Sequence, residues 1–299
     1  MTTEWQDCND EPNLPDKDAQ SVVLNDAIFV SGHDGDPVLH KYSMTKKSWY
    51  RLPVEVSDYA LATYNSKVVL VGGKEGSKYS SKCFRVLDDG VMEDKLNSFQ
   101  ESSQSVFEKV CCAASYENYL FVVISSESIE SIESIESVGV FDGDEWIRLP
   151  TFEGNQLKKS TILIKEGHVY VSIAHDNVYH IPLKSLLDDK ETPKWEKLNT
   201  EWSEIPRYKS NLTSLGDHVV TVRLYGNNLQ IVAWSARFQK WIQVENVPEI
   251  PFHDDGISIS GVTSAQPQQM ELWAMGRIGQ RLKVNFVKIL IHCKLVTVI

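Results

Sequence analysis

Six short apolar runs, rich in β-forming residues, recur along this chain with starts about 40 to 52 residues apart. They read Ala27-Ile28-Phe29-Val30-Ser31-Gly32, Val68-Val69-Leu70-Val71-Gly72-Gly73, Tyr119-Leu120-Phe121-Val122-Val123, Val169-Tyr170-Val171-Ser172-Ile173, Val219-Val220-Thr221-Val222-Arg223 and Glu271-Leu272-Trp273-Ala274-Met275-Gly276. One such unit cannot bury both faces of its own sheet, so successive units must stack. The spacing is the blade period of a β-propeller.

The first unit shows the internal pattern best. Ala27 to Ser31 is apolar, and Gly32-His33-Asp34-Gly35-Asp36-Pro37 is turn chemistry. Val38, His40 and Tyr42 then alternate with Leu39, Lys41 and Ser43, the period of a strand. Met44 to Lys47 turns again, and Ser48 to Leu52 carries Trp49 before Pro53. With Gln20 to Leu24 and the turn Asn25-Asp26 ahead of it, the unit is four antiparallel strands in about 45 residues. The fourth-strand tryptophan recurs as Trp49 with Leu52, Trp146 with Leu149, Trp195 with Leu198 and Trp241 with Val244. From Trp49 to Trp146 is 97 residues, two periods, and the skipped position near Val91-Met92 has no Trp.

The order of apolar run, Gly-Gly, loop, Tyr-bearing strand, turn and Trp-x-x-Leu-Pro resembles a kelch repeat, and the resemblance implies a six-bladed β-propeller of four-stranded antiparallel blades. It covers nearly the whole chain. Gly72-Gly73 alone keeps the double glycine; the first unit has Ser31-Gly32, and units three to five have Val123-Ile124, Ile173-Ala174 and Leu224-Tyr225. The repeats are therefore degenerate, while spacing and strand order persist. Kelch-like chains often carry an N-terminal BTB domain and serve ubiquitin ligases as adaptors; this sequence starts directly at a strand, so that role is not expected.

The expected organisation is a single domain over 1–299, with blades at about 19–53, 59–98, 109–150, 159–200, 209–246 and 256–290 plus 3–8. The sixth unit lacks a Trp after its third strand, and Trp5 in Thr3 to Cys8 fills that slot, so the N-terminal strand is expected to close the ring. Leu295 to Ile299 is the rival closing strand. Asp88-Asp89-Gly90 reads as a hairpin turn, and Leu183 to Pro193 as an excursion with a short helical turn at Leu186-Leu187. Ser128 to Ser137, with a period of three, is expected to lie in the loop between second and third strands as a solvated acidic insert.

Apolar residues make up 42% of the chain, enough for a core, and mean hydropathy is −0.26. Net charge is −11 with a pI near 5.2, which disfavours nucleic acid as a partner. Five cysteines, with Cys111 and Cys112 adjacent, do not form a disulfide framework. No signal peptide precedes Trp5 and no apolar run reaches spanning length, since Lys288, His292 and Lys294 break the C-terminal stretch. The expectation is a monomer in the reducing cytoplasm, without a membrane partner.

Chemistry-bearing motifs are sparse. His33-Asp34, His175-Asp176 and His253-Asp254 each set a His beside an Asp in an expected loop, but no recognised metal-ligand spacing accompanies them. There is no Gly-x-Ser-x-Gly and no glycine-rich phosphate loop. Cys111 and Cys112 fall on an apolar strand, and Asp142-Gly143-Asp144-Glu145-Trp146 reads as a hairpin turn before a Trp strand. No cofactor, metal site or catalytic residue is expected. The residues expected to bind a protein or peptide lie in second-to-third-strand loops and inter-blade linkers. They are His33, Tyr59, Lys74, Tyr79, Lys158, His175, Arg207, Tyr208, Tyr225, His253, Arg277 and Arg281, rich in the aromatic and arginine side chains that dominate binding hot spots. The alternative is a propeller enzyme, an epimerase, hydrolase or specifier-type lyase, with its site on the same face.

Overall fold

Alternating apolar residues between turn-forming pairs give strands along the whole chain, and the computed structural model is all-β. It describes residues 6–7, 20–31, 37–87, 92–96, 107–127, 134–148, 160–173, 177–187, 194–198, 210–215, 218–225, 228–235, 240–243, 253–263, 269–278 and 281–290. In chain order the elements are β1 (Gln6–Asp7), β2 (Ser21–Leu24), β3 (Ala27–Ser31), β4 (Val38–Ser43), β5 (Ser48–Pro53), β6 (Ala60–Tyr64), β7 (Lys67–Val71), β8 (Lys74–Glu75), β9 (Lys78–Tyr79), β10 (Cys83–Val86), β11 (Met92–Leu96), β12 (Phe107–Tyr116), β13 (Tyr119–Glu127), β14 (Ser134–Phe141), β15 (Trp146–Arg148), β16 (Thr161–Lys165), β17 (His168–Ile173), β18 (Asn177–Pro182), the short helix α1 (Leu183–Leu187), β19 (Glu196–Lys197), β20 (Ser210–Leu215), β21 (His218–Tyr225), β22 (Asn228–Ser235), β23 (Lys240–Gln243), β24 (His253–Thr263), β25 (Gln269–Ile278) and β26 (Arg281–Leu290).

Among the described residues these strands form antiparallel four-stranded sheets, ordered β2-β3-β4-β5, β6-β7-β10-β11, β12-β13-β14-β15, β16-β17-β18-β19, β20-β21-β22-β23 and β24-β25-β26-β1, with β8-β9 as a separate hairpin. The last sheet takes its outermost strand from the other end of the chain: Gln6 lies opposite Phe286 and Asp7 opposite Asn285. The first strands of successive sheets are neighbours, β2 beside β6, then β12, β16, β20 and β24, and β2 also lies beside β24. The arrangement is propeller-like.

Packing between sheets explains which strands the sequence announces. A second strand is covered on both faces by neighbouring sheets, so its central residues are mostly apolar or small. All five residues of β3 are buried, as are Val68 to Val71 of β7. Phe29 and Leu39 pack with Leu61, Leu70 and Phe84 of the next sheet, and Val69 and Val71 pack with Leu120, Val122 and Phe141 of the one after. Tight hairpins join first to second strands. Asn65 and Ser66 both take positive φ (48° and 57°), as do Glu166 and Gly167 (49° and 71°), the twist that suits a two-residue hairpin.

The recurring tryptophans have a structural partner. Trp49 lies directly opposite Tyr42, Trp146 opposite Phe141 and Trp241 opposite Trp234, with ring centroids 5.0, 5.2 and 5.4 Å apart. Each pair joins a third strand to its fourth through aromatic contact.

Several local expectations are met. Asp142 Oδ1 accepts from the backbone N–H of Asp144 (2.8 Å) and Glu145 (2.9 Å), closing the turn before Trp146. Leu186 of α1 is buried. Other expectations need correction. The acidic insert is not confined to a loop: β14 begins at Ser134, and Ser134 to Ser137 pair with Glu127 to Ile124. The β13–β14 hairpin is long enough to draw in a third of the repeats, because an extended Ser-Ile-Glu run satisfies its backbone on the neighbouring strand. His253 and Asp254 likewise belong to β24, not to a linker. Trp5 and 294–299 lie outside the described residues.

Candidate functional site

The second sheet keeps the double glycine, and the geometry shows why. Gly72 has φ +68° and a Cβ there would lie 2.5 Å from Val110 Cγ2; Gly73 has φ +109° and a Cβ would lie 2.6 Å from the Ser57 carbonyl oxygen. The pair lets the chain leave β7 tight against two neighbours. It then forms the small hairpin β8-β9 before returning through Ser80, whose N–H donates to Gly73 O at 2.8 Å.

That hairpin meets the linker between the first two sheets. Ser57 and Lys74 exchange both backbone hydrogen bonds, Ser57 N–H to Lys74 O at 3.0 Å and Lys74 N–H to Ser57 O at 2.7 Å. The side chains continue the contact. Lys74 Nζ is 3.0 Å from Asp58 Oδ2 and 5.2 Å from the Tyr79 ring centroid. Glu75 is paired with Lys82 at 2.9 Å and accepts from Ser80 Oγ at 3.1 Å. The Lys82 ammonium first, and Ser80 second, hold the Glu75 carboxyl below its usual range. It is therefore an anion at neutral pH and a poor proton donor. The site is a rigid polar platform that joins a second-to-third-strand loop to an inter-sheet linker on one face.

The expected site residues divide into four groups. Lys74 and Tyr79 are together on this platform, and Asp58 and Lys82, which complete it, were absent from the expected set. Tyr59 adjoins it but is a core residue: it is 3% exposed, and its hydroxyl donates to Val38 O at 2.7 Å. A linker Tyr with a carbonyl of the first sheet to reach is drawn inward, so its ring is not on offer to a ligand. Tyr225, His253, Arg277 and Arg281 lie at strand positions. His253 pairs with Arg277, Ile278 with Arg281, and Tyr225 with Asn228 at the end of its hairpin. His33, Lys158, His175, Arg207 and Tyr208 lie outside the described residues.

Gln20, just ahead of β2, ties three sheets together. Its Nε2 donates to Cys111 O at 2.7 Å and its Oε1 accepts from Leu61 N–H at 3.1 Å. Cys111 sits where the β12–β13 register slips between Val110 and Cys112, a bulge that frees its carbonyl from the ladder. Thr161 Oγ1 does the same service for Leu212 N–H of the fifth sheet, at 3.1 Å. Cys83 and Cys112 are buried thiols outside any disulfide, and Cys111 is a half-buried one. On the fourth sheet, His180 stacks on Tyr170 (5.9 Å, 16°), lies 5.7 Å from the His168 ring and is 3.5 Å from Glu196. Burial pushes its pKa down, against the pull of Glu196. Among the described residues no group of three or more His, Cys, Asp or Glu is arranged to hold a metal ion, and no helix is long and apolar enough to cross a membrane.

No family model matches this sequence, and no curated protein matches it. Among solved structures, the chain is similar to one described as "Structure of YjhT", with TM-score 0.63 and 10% identity over 95% of this chain and 97% of that one. At that identity the likeness concerns the fold.

Proposed function

We propose that this chain is a single kelch-type domain, a six-bladed propeller closed by its N-terminal strand. Its function in this reading is to dock a protein or peptide on the face where second-to-third-strand loops and inter-blade linkers emerge. One observation carries the docking face: Ser57 and Lys74 pair through their backbones, and Asp58, Lys74 and Tyr79 form one charged and aromatic platform. Both loop types thus supply one surface, on rigid backbone, with the residue types of binding hot spots. Closure is supported by Gln6 opposite Phe286 and by β2 beside β24. The reading takes the protein as a monomer of the reducing cytoplasm whose partner is neither nucleic acid nor membrane, in keeping with its net charge of −11.

The test is affinity capture with the intact chain against two variants, Tyr79→Ala with Lys74→Ala, and Arg207→Ala with Arg277→Ala. Partners held by the parent and lost by both variants, with unchanged melting, support the face. Partners held equally by all three proteins place the site elsewhere.

A further inference from the structure

The outer strand of the first sheet differs in charge from the chain as a whole. Between Val38 and Pro53 stand Lys41, Lys46, Lys47 and Arg51, with no Asp or Glu, in a chain of net charge −11. The strand β5 is outermost in its sheet, and among the described residues no strand pairs with its outer edge. All six of its residues pair with β4 in unbroken register, so Ser48 to Leu52 leave alternate backbone groups on the outer edge, while Pro53 adds no N–H there. Among the described residues it is the longest of the fourth strands, at six residues. Tyr50, on this strand, is 39% exposed, the most exposed large hydrophobic among the described residues. Its hydroxyl accepts from Ser48 Oγ at 3.2 Å, and Lys46 Nζ lies 5.8 Å from its ring. Lys41 is directly opposite Tyr50, with its ammonium 5.5 Å from the Phe29 ring. The nearest acid on the adjoining turn, Asp26, is engaged by the N–H and hydroxyl of Thr45.

We propose that the outer edge of β5 docks an extended acidic peptide segment, which adds as a further strand and sets its carboxylates against Lys46 and Lys47 of the turn that leads into it. Backbone hydrogen bonds supply affinity in such strand addition, and alternate side chains supply specificity. Lys46 and Lys47 in the turn before β5 repel a second copy of the same edge while attracting an acidic strand, so charge selects the partner. Tyr50 offers the apolar contact that such a strand covers. This site lies on an outer strand and does not depend on the loop-face reading.

The experiment is fluorescence anisotropy with a labelled short peptide alternating Glu and Val. Controls are the Gln counterpart, a version N-methylated at alternate backbone positions, and the protein variant Lys46→Glu with Lys47→Glu, whose positions are exposed and outside the core. The expected result is binding that weakens with salt. It falls at least about tenfold for the Gln peptide and for the charge-reversed protein, and is lost on N-methylation. Tyr50→Ala should also weaken it. Equal binding of the N-methylated peptide would overturn strand addition. Equal binding by the charge-reversed protein, or none at about millimolar peptide, would overturn the site. So would sedimentation showing a dimer of the parent chain that the charge-reversed variant dissolves, which would assign the edge to a second copy.

Discussion

Tyr59 and Tyr64 bracket β6, and each ties the second sheet to a different neighbour. The Tyr59 hydroxyl donates to Val38 O of the first sheet, and the Tyr64 hydroxyl donates to Asn118 O at the β12–β13 turn at 2.9 Å. Burial raises the Tyr64 pKa, so the phenol remains a donor across neutral pH. Removing the Tyr59 hydroxyl as Tyr59→Phe deletes one hydrogen bond without emptying space. The expected loss is about 1 kcal/mol in urea unfolding. A glycine pair separates strain from clash. Gly72 and Gly76 have similar φ, +68° and +64°, yet a Cβ at Gly76 meets nothing within 4 Å while one at Gly72 meets Val110. Gly76→Ala should cost about 1 kcal/mol of backbone strain, and Gly72→Ala clearly more. Equal losses in denaturant melts would show that Val110 yields freely. His180 gives a pH dependence. Burial, opposed by Glu196 and aided by His168, sets its folded pKa below the unfolded value of about 6.5. Between those two values the unfolded chain holds more protons, so stability is full above the window and falls as pH drops through it. His180→Phe, which keeps a ring against Tyr170, should lose less melting temperature on acidification from about pH 7 to about pH 5 than the parent. An identical acid loss in both would place the titration elsewhere.

At the scale of elements, the aromatic pairs rank the fourth strands. Trp241 is 8% exposed and packs on Trp234, whereas Trp49 is half-buried. Trp241→Ala should therefore cost about 3–5 kcal/mol and Trp49→Ala clearly less, as urea unfolding would measure. The same pairs explain what the sequence makes legible. Second strands covered on both faces read as unbroken apolar runs, and a fourth strand with a ring to stack reads as a Trp. Where no ring stacks the sequence is quiet: β11 carries no Trp, and Val86 pairs with Met92. The triplet repeat misleads because its period matches no regular element, yet Ser134 to Ser137 join β14 through backbone bonds that take no account of side-chain period. The loop site was legible only in part. Lys74 and Tyr79 stand out as exposed residue types after Gly72-Gly73. Nothing in the sequence says that Asp58 neutralises Lys74, that Lys82 neutralises Glu75, or that Tyr59 turns into the core, because each depends on which loops meet in space.

Across the whole molecule, the charge pattern differs from a sum over loops. Lys74 and Glu75, adjacent opposite charges in the sequence, are each matched by a neighbour, so steering falls to residues such as exposed Lys78. Closure is a molecule-wide property as well. Deleting residues 1–8 removes β1 from β26 and exposes an edge, so it should cost on the order of several kcal/mol, while deleting 294–299 should cost less. The reverse order in thermal melts would assign closure to the tail. The central claim is that a partner docks on the face shared by the loops and linkers. Hydrogen exchange of the chain alone and with a captured partner tests it most directly. The account predicts new protection in 54–59 and 72–82, and at the Tyr225 and Arg277–Arg281 hairpin ends. Protection confined to outermost strands, with none in those segments, would contradict it.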